Sequence, residues 1–179
     1  MPETLHLEPA TDRLDLFAPP VAAAVRAWKG PVPIQEIAVA EIDPEAADTA
    51  TFCSRYGIAL EDSANCVVVA ARRGGTTRPA ACVVLATTRA DVNGLVRRHL
   101  GARKASFAPV DVAVEETGME YGGITPLGLP DDWPLLVDAA VARSARLIVG
   151  SGLRRSKVML PGTALAGLPN ADVLDALGR

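Results

Sequence analysis

Two apolar runs separated by a glycine pair constrain this chain more than any other feature. Cys66–Ala71 (Cys-Val-Val-Val-Ala-Ala) reads as a buried strand, and Ala80–Ala86 reads as its return. Between them, Arg72–Arg78 contains Gly74-Gly75. Glycines reach the left-handed backbone angles of a tight turn at no steric penalty, so the pair marks a hairpin. An antiparallel strand pair in the middle of the chain excludes an all-helical fold.

Around that hairpin, strands and helices follow in irregular order. Thr11–Gly30 reads as helical with a break at Pro19-Pro20, and Val21, Ala24, Val25 and Trp28 then recur at helical spacing. Pro31 and Pro33 make a stiff connector to a strand over Ile34–Ala40. Asp48 or Thr49 caps a helix that Gly57 ends. Asp91 caps the clearest helix, with Val92, Leu95, Val96, His99 and Leu100 on one face and Gly101 as its stop. Ser106–Ala108 is extended, and Pro109 opens a helix to Thr117. Gly122–Asp132 is loop. Leu135–Val137, Leu147–Val149 and Ser156–Leu160 read as strands, with a helix start near Asp138 and a short helix over Pro161–Leu168. The tail from Asn170 forms a final turn. This order lacks the regular alternation of a doubly wound sheet. It predicts a mixed α/β domain (α+β) with a curved, largely antiparallel sheet and surrounding helices.

At 179 residues the chain suits one domain with one sizeable core. No apolar run approaches the roughly 18 residues of a membrane helix. Met1–Ala10, with Glu3, His6 and Glu8, lacks the basic start and apolar stretch of a signal peptide. A cytoplasmic location is expected, with no membrane partner. Cys53, Cys66 and Cys82 fit no zinc spacing and read as reduced packing residues. The net charge of −3 and the lack of a basic tail argue against DNA binding and limit any RNA contact to a local one.

The usual catalytic kits are missing. His6 falls in the N-terminal tail, and His99 near a helix end, where a cation suits the helix dipole. No metal-binding helix, phosphate loop or dinucleotide fingerprint occurs. Gly150-Ser151-Gly152 lacks the outer glycines of a serine-hydrolase elbow, because those positions hold Val149 and Leu153. Glu115, Glu116, Asp131 and Asp132 read as solvated surface. What remains is Gly122-Gly123-Ile124-Thr125-Pro126-Leu127-Gly128. Such a loop can be a tight connection, or a stiff array of backbone amides able to hold a carbonyl or an oxyanion.

The order of these pieces resembles the YbaK/ProX-type family of aminoacyl-tRNA editing proteins, which includes freestanding deacylases and the editing insertion of bacterial prolyl-tRNA synthetases. The resemblance is carried by Leu100-Gly101-Ala102-Arg103-Lys104, Ser106-Phe107-Ala108-Pro109, Val114-Glu115-Glu116-Thr117-Gly118, the Gly122–Gly128 loop, Pro134-Leu135-Leu136-Val137-Asp138 and Leu147-Ile148-Val149-Gly150-Ser151-Gly152. It covers roughly residues 34–168. It leaves residues 1–33 as an N-terminal helical extension and 34–179 as the editing domain.

The resemblance implies hydrolysis of the ester joining a wrong amino acid to tRNA. The acceptor end of aminoacyl-tRNA is the partner, and no cofactor is needed. Gly122, Gly123, Ile124, Thr125 and Pro126 match the family's substrate loop, whose backbone holds the aminoacyl group near the attacking water. Asp138 matches an aspartate beside the pocket, where it binds the substrate ammonium or a water, or else caps a helix. Thr49 matches a region that shapes the amino-acid pocket, or is itself a cap. Gly150 and Ser151 match a strand end that faces the site. One departure stands out: Asn65 occupies the place of a family lysine. Asparagine donates a hydrogen bond but brings no charge. The chain is therefore either a deacylase using Asn65, Gly122 and Asp138, or a catalytically lapsed module that binds an aminoacyl group or a small amino acid.

Overall fold

The computed structural model describes all 179 residues, Met1–Arg179. Its strands divide between two sheets rather than forming the single curved sheet expected. The first has the order β1-β2-β8-β7 and is antiparallel throughout: β1 is Glu8–Pro9, β2 Ala38–Glu41, β7 Leu147–Gly150 and β8 Ser156–Leu160. The second has the order β5-β3-β4-β6-β9, with β3 Ala64–Arg73, β4 Thr76–Leu85, β5 Lys104–Phe107, β6 Leu135–Asp138 and β9 Ala171–Leu174. Its β5-β3-β4 part is antiparallel, whereas β6 and β9 join in parallel. β9 falls where the sequence suggests only a final turn. The mixed α/β architecture is as expected.

The glycine pair does what its chemistry requires. Gly74 and Gly75 take φ of 56° and 80°, the two positive angles of a two-residue hairpin turn, and β3 and β4 pair from Ala64↔Leu85 to Arg73↔Thr76. Side chains then alternate across this sheet. Val68, Ala81, Val83, Leu135 and Val137 face the main core, which they share with Val39, Val149 and Val158 of the first sheet. Val69, Ala80, Cys82, Val84 and Leu136 face a smaller cluster covered by Val92, Val96 and Leu177.

Six short helices surround the sheets: α1 Pro19–Arg26, α2 Thr49–Tyr56, α3 Arg97–His99, α4 Val110–Thr117, α5 Ala139–Arg143 and α6 Gly162–Ala166. Pro19 and Pro20 do not interrupt a helix but open one. The first helical turn has no use for their missing amides. The Asp91-capped segment begins as a wide π-type turn over Val92–Val96 before continuing as α3. Ile34–Glu36 is a 3-10 turn, so β2 starts later than the sequence suggests. The N-terminal segment is not a detached appendage: Ala10, Leu16, Phe17, Val21 and Val25 belong to the main core, and β1 pairs with β2. No helix is long and apolar enough to cross a membrane.

Candidate functional site

The two sheets meet where Ser63, just before β3, bridges to Ile148 of β7. A cleft of about 190 Å³ opens there. Five segments line it: Ala47–Thr49 with Phe52 at the start of α2, Ser63–Cys66, Tyr121–Gly122 with Ile124, Ile148–Gly150, and Lys157 of β8.

Local chemistry fixes each wall. Asp48, not Thr49, caps α2 by accepting from the Thr51 amide at 3.0 Å. That bond, with a second from the Thr51 hydroxyl, holds the Asp48 carboxyl below its ordinary range against the opposing effect of desolvation. Relieved of capping, the Thr49 hydroxyl donates to Asn65 Oδ1 at 2.7 Å. This leaves the Asn65 amide nitrogen without a hydrogen bond inside the protein. The Gly122–Gly128 loop is clamped from behind: Gly152 N donates to Gly123 O at 2.7 Å, and Glu120 N donates to Gly152 O at 2.8 Å. Gly150 is indispensable to this packing, since a Cβ there would lie 2.4 Å from the Gly123 carbonyl oxygen. Gly122 has φ +86°, and a Cβ on it would meet Arg154 Nη1 at 2.6 Å. The amides of Gly122 and Ile124 make no backbone hydrogen bond.

The sequence reading missed the most consequential residue. Lys157 is only 7% exposed. Its Nζ donates to Ala47 O at 2.9 Å and lies 5.4 Å from the centre of the Phe52 ring. Burial pushes this ammonium below the ordinary lysine range. Asn65 therefore does not leave the cleft without a cation; the cation arrives from another strand. Lys157 sits opposite Ala40 in the β2–β8 pairing and opposite Gly150 in the β7–β8 pairing. That register was the signal, and it needs the pairing partners to be known.

Of the sequence-derived candidates, Thr49, Asn65, Gly122, Ile124 and Gly150 come together in the cleft. Five others do not. Asp138 takes the capping role that the sequence left open for it: its Oδ1 accepts from Ala140 N at 2.7 Å as the cap of α5, and its Oδ2 accepts from Gly178 N at 2.5 Å. Both oxygens are thus committed away from the cleft. Ser151 is buried in a bonding network with Ser156, Leu153 and Leu16 that shapes the β7–β8 turn. Gly123 packs behind the loop. Thr125 is buried, its hydroxyl without a protein partner. Pro126 lines a separate groove beside Trp28 and Trp133.

No activated side-chain nucleophile is present in the cleft. Ser63 is 2% exposed and contacts Cys53 Sγ at 3.4 Å rather than a base. Desolvation drives the Cys66 thiol far above neutral, so it is no thiolate at pH 7. His99 pairs with Asp172 on the surface, away from this region. What the cleft offers is a buried ammonium, a free amide nitrogen on Asn65, one carboxylate and a loop whose Gly122 and Ile124 amides have no backbone partner. Such a set can polarise a carbonyl and stabilise negative charge on its oxygen.

A family model described as an aminoacyl-tRNA editing domain matches residues 43–168, a span that includes every residue lining the cleft. Among solved structures, a proposed trans-editing enzyme for prolyl-tRNA synthetase superposes with a TM-score of 0.74 at 19% identity, covering 97% of this chain and 99% of that one. A structure from work on epitope backbone grafting by computational design gives 0.74 and 19%, with 90% and 97% covered. A hypothetical protein gives 0.69 and 18%, with 79% and 90% covered. Identities this low speak for the fold alone.

Proposed function

The chain belongs to the aminoacyl-tRNA editing domain family, and from that membership we propose that it acts in trans, as a YbaK/ProX-type deacylase, on the ester of a mischarged tRNA. One observation carries this reading. A buried ammonium and the Gly122 and Ile124 amides, which have no backbone partner, line one cleft that has no activated nucleophile. Water must then be the nucleophile. It attacks the ester carbonyl carbon, the carbonyl oxygen takes up negative charge, and the ribose oxygen leaves with a proton. The products are free amino acid and uncharged tRNA.

In this reading Gly122 and Ile124 hold the carbonyl by their amides. The Lys157 ammonium stabilises the oxyanion, where a low-dielectric wall strengthens its effect. Asn65, oriented by Thr49, positions the carbonyl or the water through its free amide nitrogen. Asp48 takes the ammonium-binding role first considered for Asp138; it lines the cleft, and the Thr51 amide and hydroxyl both bond to its Oδ1. An aminoacyl ester is already labile, so orientation and oxyanion stabilisation can supply most of the acceleration. Aminoacyl-tRNA as substrate implies action in the cytoplasm.

The competing view, a lapsed module that only binds an aminoacyl group, drew on the absence of a lysine at position 65. Lys157 weakens that reason. A panel of mischarged tRNAs incubated with wild type and with Asn65→Lys separates the two. Hydrolysis of at least one tRNA by the wild type supports the enzyme. Hydrolysis only by Asn65→Lys marks a lapsed site.

A further inference from the structure

The net charge of the chain conceals a strong segregation. Residues 63–110 carry eight of the eighteen lysines and arginines but one of the twenty-one aspartates and glutamates, a local charge of +7 against −10 for the rest. The fold gathers five of these cations at one end of the second sheet. Arg72 and Arg73 end β3, Arg78 lies just past the turn in β4, and Arg103 and Lys104 lead into β5. All five are exposed. Arg72, Arg73, Arg103 and Lys104, with Gly74, Gly75 and Thr77, surround an open depression that has no apolar side chain in its lining.

None of these five has a carboxylate within 4.0 Å; the eight ion pairs of the molecule all lie elsewhere. The single acid of the span, Asp91, is occupied with the amides of Gly94 and Leu95 and with Arg179. Arg72 moreover stands directly opposite Lys104 in the β3–β5 pairing. Like charges placed opposite one another across a strand pair weaken it. Folding alone therefore gives no reason for this cluster, and an anionic partner does.

We propose that the tip of the β3–β4 hairpin binds RNA backbone phosphates, and that it holds the double-helical arm of the tRNA whose 3′ end enters the cleft. Guanidinium groups match phosphate oxygens in paired hydrogen bonds. A protein partner would need apolar or aromatic anchors at its centre, and the depression has none. Arg72 lies seven residues along β3 from Asn65, about 23 Å at roughly 3.3 Å per residue. The two ends of one strand could then engage one RNA at its end and along its helix, while the acidic remainder of the surface repels other placements. The identity of the RNA rests on the editing reading of the cleft; the phosphate-binding role does not.

The test uses the full-length protein with Arg72→Gln, Arg73→Gln, Arg103→Gln and Lys104→Gln combined. Exposed and without acidic partners, with a single side-chain bond among them from Arg73 Nη1 to Gly101 O at 3.2 Å, these residues should be replaceable with little loss of melting temperature. Uncharged tRNA binding is followed by fluorescence anisotropy across a salt series. Hydrolysis is measured on aminoacyl-tRNA and on the same amino acid esterified to adenosine. The variant should bind tRNA at least about tenfold more weakly near 0.1 M salt, with the slope of log affinity against log salt shallower by about 3. Its KM for aminoacyl-tRNA should rise, while turnover of the adenosine ester stays unchanged. Arg72→Lys with Arg73→Lys and Arg103→Lys, which keeps the charge, should retain most of the affinity. Unchanged affinity and salt slope in the folded glutamine variant would overturn the proposal, as would equal losses on the two esters. If the wild type hydrolyses neither ester, the editing reading fails, and the binding series still decides the patch.

Discussion

The two ends of β3 treat positive charge in opposite ways. At the Asn65 end one ammonium, Lys157, is packed against the Phe52 ring and the Ala47 carbonyl, almost out of water. At the Arg72–Arg73 end five cations stand in solvent with no acid beside them. The physics of the two settings differs. A charge in a low-dielectric wall is costly to place there but acts strongly on a neighbouring atom. Exposed charges act weakly one at a time, are screened by salt, and add up over a long polyanion. A buried charge suits the reacting carbonyl, and an exposed cluster suits the rest of a large anionic substrate.

The sharpest way to break this contrast is Lys157→Met. Turnover should fall by about 10²- to 10³-fold, as when an oxyanion-stabilising donor is removed. Stability should change by no more than about 1 kcal/mol, because the lost bond to Ala47 O is offset by relief of a desolvated charge. Single-turnover kinetics and a thermal melt check the two halves. The pH dependence carries the same signature. The ammonium acts at low pH and is lost as pH rises through its lowered pKa. After subtraction of spontaneous ester hydrolysis, the wild-type rate should decline at a pH below the ordinary lysine value of 10.5, and that limb should be absent from Lys157→Met. Stability responds with the opposite sign. The unfolded chain holds this proton more tightly than the folded one, so the residue's unfavourable contribution shrinks as pH rises through the same window.

Gly122→Ala comes next. Its left-handed φ strains an alanine by about 1 kcal/mol, and the methyl would push the Arg154 guanidinium away from the loop. About a tenfold loss of kcat/KM is expected, with a drop in melting temperature. The methyl collides with Arg154 and need not touch the substrate. Combining it with Arg154→Ala should recover part of the loss. Thr49→Val removes the bond that orients Asn65; a loss worth about 1 kcal/mol corresponds to roughly a fivefold fall in kcat/KM. The smallest effect on activity belongs to Asp138→Ala. It should cost about 1–2 kcal/mol of stability as a lost cap and leave kcat/KM unchanged at temperatures where the variant is folded. A large fall in kcat/KM there would return Asp138 to the catalytic machinery.

The sequence made one class of feature legible and hid another. Local signals worked: Gly74-Gly75 located the hairpin, Gly57, Gly101 and Gly118 marked helix ends, and Ser156–Leu160 matched a strand. Each depends on the chain's behaviour within a few residues. Lys157 could not be seen in the same way, because its arrival beside Asn65 depends on β8 lying between β2 and β7, which only long-range pairing decides. The joining of residues 8–25 to the main core was hidden for the same reason. The basic hairpin is a different case. It was present in the sequence, but averaging charge over the whole chain erased it. Asp138 shows the limit of matching by position: the aspartate is there, and its oxygens serve α5 and Gly178.

A lysine relocation tests the central claim most directly. Single-turnover deacylation of a hydrolysable mischarged tRNA near pH 7 would be compared among wild type, Lys157→Met and Lys157→Met with Asn65→Lys. If the cleft needs one buried cation, whichever strand supplies it, the single variant loses about 10²-fold or more and the double variant regains at least about tenfold of that. Wild-type turnover in a folded Lys157→Met protein would contradict the account.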